Sequence, residues 1–124
     1  MTLNAAELNF TMSPEQVVQK QLDTYNAGDI EGFMSVMAPD VALHNFSDGQ
    51  LLAKGHKEVK ALYANLFEKS PQLKSTLTNR IVLGNQVIDH ESITGRMGSQ
   101  EIIELVVIYE VKKEKIYKVT VLRK

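Results

Sequence analysis

A chain of 124 residues with 44% hydrophobic content is long enough to close one core without metal or disulfide, so a single domain is expected. Fourteen basic residues against fifteen acidic ones leave a formal charge of -1, and no segment concentrates one sign, which argues against nucleic acid and anionic membrane surfaces as partners. The absence of cysteine excludes a disulfide framework, a thiolate nucleophile and sulfur-ligated zinc.

Residues 1–12 carry neither a basic start nor a continuous apolar stretch. They read as a flexible N-terminal segment ahead of one domain at 13–124, not as a secretion signal or a membrane span, and a cytoplasmic location is expected. The first helix is signalled by Ser13-Pro14-Glu15-Gln16, where serine caps, proline suits the first helical position and glutamine closes a capping box. Val18, Leu22 and Tyr25 then recur on one face, and Gly28 can end the helix in the left-handed region, giving a helix over 14–27. Asp29 caps a second, shorter helix carrying Ile30, Phe33, Met34 and Met37, which stops before Pro39.

Residues 41–46 read as a strand, Ser47-Asp48-Gly49 as a turn and residues 50–54 as a short returning strand. Over 56–69 the pattern is helical again, with Val59, Leu62, Tyr63, Leu66 and Phe67 on one face, and Ser70-Pro71 ends it. Four long antiparallel strands follow, separated by turns at Gly84-Asn85, Gly95 to Gly98 and Lys113-Glu114. In the third of them Ile103, Leu105, Val107, Tyr109 and Val111 share an apolar face that meets the helices. The opposite face mixes Ile102, Val106 and Ile108 with Glu104 and Glu110, more apolar than a solvated surface requires, and is expected to be covered by a second subunit. The fold class is α+β, a curved antiparallel sheet around helices in the order α-α-β-β-α-β-β-β-β.

Several stretches resemble the nuclear transport factor two-like superfamily, which includes ketosteroid isomerases and SnoaL-like polyketide cyclases. They are Tyr25-Asn26-Ala27-Gly28-Asp29-Ile30-Glu31-Gly32-Phe33, Ala38-Pro39-Asp40-Val41, Leu62-Tyr63-Ala64-Asn65 and Asn79-Arg80-Ile81-Val82-Leu83-Gly84. Val87-Ile88-Asp89-His90-Glu91 and Ile108-Tyr109-Glu110-Val111 complete the likeness, which is to a SnoaL-like subgroup and runs from about Pro14 to the C-terminus. The resemblance implies a cystatin-like cone enclosing an apolar cavity, dimerised through the outer sheet face. It also places the general-base position of ketosteroid isomerases on Asn45, the tyrosine position on Gln21 and the neutral-acid position near Val107. An amide cannot abstract a proton, so chemistry here would run by another mechanism.

The catalytic candidates are Asp89 and Glu91, which alternate onto one face of one strand. If that face is concave, repulsion and burial would raise at least one pKa toward neutrality and fit it for general acid or base work. The competing reading has Asp89 cap the strand region or pair with Arg80 and leaves Glu91 solvated at the cavity mouth. His90 points the other way, toward the outer face. Tyr25, Tyr63, Phe67 and Tyr109 are candidate ligand-binding residues, with Tyr25, Tyr63 and Phe67 more readily read as ordinary core. Asn45 could orient a ligand carbonyl or serve only backbone bonds, and Arg80 could anchor an anionic group or form a rim salt bridge. His44, His56 and His90 form no metal pattern, so neither metal nor cofactor is expected. The sequence therefore points to a cavity that binds a small, mostly apolar molecule, with cofactor-independent isomerase, hydratase or cyclase-like chemistry. The alternative is a non-catalytic binding or scaffold dimer that associates through the outer sheet face.

Overall fold

The computed structural model describes residues 11–124. Three helices and six strands follow the order read from the sequence: α1 (Pro14–Ala27), α2 (Ile30–Met34), β1 (Met37–Asn45), β2 (Leu51–Lys54), α3 (Gly55–Glu68), β3 (Lys74–Leu83), β4 (Gln86–Thr94), β5 (Ile103–Lys112) and β6 (Lys115–Arg123). A short 3-10 turn at Arg96–Gly98 joins β4 to β5. The expected flexible segment 1–12 lies outside the described residues except for Thr11 and Met12, and Met12 packs against the core.

Local chemistry sets the helix ends. Ser13 Oγ accepts from the Gln16 N–H at 3.2 Å while Gln16 Oε1 accepts from the Ser13 N–H at 2.9 Å, a closed capping box. Gly28 ends α1 at φ 66°, and Asp29 Oδ1 accepts from the Gly32 N–H at 3.0 Å to start α2. The second helix is shorter than its sequence pattern suggests, because Met37 already belongs to β1. Pro39 sits inside that strand at little cost: pairing to β6 jumps from Met37 to Ala42, so no ladder bond is asked of the proline nitrogen.

The sheet order is β2-β1-β6-β5-β4-β3. Every adjacent pair is antiparallel except β1 against β6, which is parallel. The sheet is thus mixed at one seam, not antiparallel throughout as the sequence suggests. Register breaks at Leu77/Asn79 in β3 and between Glu110 and Val111 opposite Tyr117 are bulges, which bend the strands and deepen the sheet's curvature. Val87, Ile93, Leu105, Val107, Tyr109, Val111, Val119 and Val121 turn inward under the helices, as the alternation in β5 predicts. Tyr25, Phe33, Tyr63 and Phe67 interlock between the helices, with the Phe33 and Tyr63 rings 4.5 Å apart.

Candidate functional site

Both carboxylates expected on the concave face of β4 are there: Asp89 is wholly buried and Glu91 is 5% exposed. They sit in different surroundings. The bulge at Thr78 switches the parity of β3, so that Leu77 faces Glu91 and Arg80, three residues on, faces Asp89. The Arg80 guanidinium then grips Asp89 with two parallel bonds, Nε to Oδ1 at 2.7 Å and Nη2 to Oδ2 at 2.9 Å. Its remaining Nη1 donates to Gln19 Oε1 of α1 at 2.8 Å. The hydrogen bond to Asp89 raises the guanidinium pKa still further, so this is a closed ion pair tying α1 to the sheet. Arg80 and Asp89 are both absent from the walls of the concave pocket described below. Of the two readings of Arg80 left open by the sequence, the geometry matches the salt bridge.

Among the described residues, Glu91 has no cation within salt-bridge distance. Its Oε1 accepts from Ser75 Oγ at 2.7 Å and its Oε2 from the Tyr109 hydroxyl at 3.3 Å. Burial raises the Glu91 pKa above the usual carboxylate range, opposed by the Ser75 hydrogen bond and reinforced by the nearby Asp89 charge. Ser75 is itself fixed by Asn26 at the end of α1, whose Oδ1 accepts from the Ser75 N–H at 2.7 Å and whose Nδ2 donates to the Ser75 carbonyl at 2.9 Å. The chain of contacts Asn26, Ser75, Glu91, Tyr109 therefore holds the carboxyl in one orientation.

In front of Glu91 lies a pocket of about 440 Å³ between the concave sheet face and α1 and α3. Gln21, Tyr25, Tyr63, Tyr109, Arg96 and Arg123 give it polar points, and Leu43, Leu62, Leu105, Val107, Val119 and Val121 make its apolar walls. Burial pushes Tyr25 and Tyr109 well up, and Tyr63 up to about 12, so these hydroxyls remain neutral hydrogen-bond donors at physiological pH. Gln21 is 6% exposed, and its Oε1 has no hydrogen-bond partner among the described residues. An acceptor in that condition favours a donor brought by an occupant.

Three expected ligand-binding residues thus line this pocket: Tyr25, Tyr63 and Tyr109. Two others do not. Asn45 ends β1 at the turn, where its Nδ2 donates to Ser47 Oγ at 3.1 Å and to Asp48 Oδ1 at 3.0 Å, so its amide serves the hairpin. Phe67 belongs to the aromatic cluster and faces a separate depression of about 430 Å³ between the ends of α1 and α3. That depression holds one carboxylate, the exposed Glu68, and no buried titratable group other than the shared Tyr25, so the acid chemistry lies with the concave pocket. His90 is on the outer face, 2.6 Å from Glu104 Oε2, as the strand alternation requires. Ser75, Asn26, Arg96 and Arg123 went unread in the sequence. The inward parity of Val119, Val121 and Arg123 on β6 was available as a signal for the last of these.

The SnoaL-like domain family matches residues 18–119. No functionally curated protein matches the chain in sequence. An uncharacterized cystatin-fold protein from Novosphingobium aromaticivorans superposes with a TM-score of 0.83 at 24% identity, covering 90% of this chain and 99% of its own. An NTF2-like protein from Cytophaga hutchinsonii gives 0.75 at 12% identity over 91% of each chain. A protein with a ketosteroid isomerase-like fold from Catenulispora acidiphila, crystallised with trimethylamine, gives 0.72 at 14% identity over 89% of this chain and 85% of its own. At these identities the likeness is one of fold. With the family's pattern running from α1 to β6 and the expected element order in place, the chain belongs to the SnoaL-like domain family.

Proposed function

We propose that the concave pocket binds a small, mostly apolar molecule and that Glu91 exchanges a proton with it. The observation that carries this reading is a buried carboxyl, without a cationic partner among the described residues, facing a pocket of about 440 Å³, within the size range of ligand sites. Burial raises its proton affinity, so it can donate a proton when protonated and remove one when ionised. Tyr25 and Tyr63 supply neutral donors to an oxygen on the occupant, and the sheet residues exclude water. The chemistry proposed is cofactor-independent proton transfer of the isomerase, hydratase or cyclase kind, with Asp89 as a structural partner of Arg80. We place the protein in the cytoplasm, as the sequence suggests.

Fluorescence titration with 2-naphthalenemethanol, a neutral two-ring probe, tests the pocket. The wild type is expected to bind it saturably and Leu105→Trp, which fills the space, to lose that binding. Absent binding, or binding indifferent to Leu105→Trp, would contradict the reading.

A homodimer through the outer sheet face is part of the same proposal. Ile81, Ile88 and Ile108 lie side by side across β3, β4 and β5, and Val106 and Leu122 pair in the next row. Ile81 is 54% exposed and Leu122 37%, an apolar strip that a second subunit would cover.

A further inference from the structure

Arg96 and Arg123 reach the mouth of the concave pocket from different elements, the 3-10 turn after β4 and the last residue of β6. Arg123 follows Val119 and Val121 on the inward-facing register of β6 and stands opposite Leu105, itself a wall of the pocket. Arg96 is carried by a turn that Gly95 and Gly98 make possible, at φ 74° and 75°. That turn is pinned by the Met97 N–H donating to Ser70 Oγ at 2.8 Å, so its position is set by the chain leaving α3.

Among the described residues, neither guanidinium has a carboxylate within salt-bridge distance. Of the acidic groups nearby, the exposed Glu101 shares a separate cleft with Arg123 without pairing to it. Glu104, across the sheet on β5, is taken by His90 at 2.6 Å and Lys124 at 3.2 Å. Glu91 faces the same pocket but is held toward its neutral form by burial. Both arginines act electrostatically on the Tyr25 and Tyr63 hydroxyls, lowering pKa values that burial raises, which brings their charge to bear on the pocket interior. Two cations thus converge on a largely apolar space in which, among the described residues, neither is paired with a carboxylate.

We infer that the pocket selects an organic anion: an apolar ring-bearing carboxylate whose charged end sits between Arg96 and Arg123 and whose body lies against Tyr63, Leu105 and Val119. This rests on the ligand-binding reading above and narrows its substrate class. The planar forks of two guanidinium groups suit a carboxylate, and partial exclusion of water strengthens the pairing. The anchoring role that the sequence offered to Arg80 passes to this pair, because Arg80 is occupied by Asp89.

The experiment compares 2-naphthoate with 2-naphthalenemethanol, equal in ring body and different in charge, by fluorescence or calorimetric titration. The wild type is expected to bind the carboxylate at least about tenfold more tightly, with the advantage shrinking as salt is raised. Arg96→Gln and Arg123→Gln are each expected to remove most of that advantage while the affinity for the neutral probe stays, which also shows that the variants are folded. Equal affinity for the two probes, or a preference that survives in the Arg96→Gln and Arg123→Gln double variant, would overturn the anion assignment and leave the apolar pocket standing. Failure of the wild type to bind either probe would remove the ligand-binding reading as well.

Discussion

Arg80 holds Asp89 through two parallel N–H···O bonds, and with Asp89 wholly buried the pair behaves as one structural unit. Taking ions out of water is costly, and removing one partner strands the other. Arg80→Leu is therefore expected to destabilise the fold by roughly 3–5 kcal/mol, read by chemical denaturation, whereas the Arg80→Leu, Asp89→Leu double variant recovers most of the loss. A double variant no more stable than the single one would mean that the pair's contacts to Gln19 and α1, not its charges, carry the effect. Two residues along the strand, Glu91 makes its hydrogen bonds to hydroxyl groups alone, and the same burial that Arg80 compensates for Asp89 instead raises its proton affinity. Alternation told which way both acids face. The sequence offers the pairing of Arg80 with Asp89 only as a competing reading, because the pairing depends on a one-residue bulge in β3.

At the scale of elements, the turns impose the tightest limits. Gly95 stands at φ 74°, and a Cβ there would run into the backbone carbonyl of Gln72. Gly95→Ala should cost at least about 1–2 kcal/mol for the left-handed backbone alone, more with the clash, lowering the melting temperature and displacing Arg96 from the pocket mouth. A variant with unchanged melting temperature would show that this turn is looser than its packing implies. Helix α1 was legible to the residue from Ser13, Gln16 and Gly28, since caps and staples are local chemistry. The end of α2 was not: Met37 fits the apolar period, yet the chain is already extended there because β6 offers it a parallel partner. The same limit applies to the site. Tyr25, Tyr63 and Tyr109 could be nominated from periodicity, while Ser75 and Arg96 acquire meaning only when α1 and the 3-10 turn come against the sheet.

The whole molecule presents two surfaces with different demands, a concave one holding the acid-bearing pocket and a convex one with apolar rows. Association through the convex face is expected to appear as a dimer in sedimentation velocity and to shift toward monomer in an Ile88→Glu, Ile108→Glu variant whose circular dichroism is unchanged. A monomeric wild type at tens of micromolar would count against the dimer without touching the pocket. Because the Glu91 pKa is raised in the fold, between the unfolded and folded values the native state retains a proton that the unfolded chain has released. The stability owed to that proton is full below the unfolded value and is lost as pH rises through the folded one. Titration of the Glu91 carboxyl carbon by NMR, with and without 2-naphthalenemethanol, reads both the burial and the pocket in one signal. We predict a midpoint above the ordinary glutamate value of about 4.3, moving higher when the neutral probe fills the space in front of it. A midpoint at or below that value, unmoved by the probe, would contradict the account.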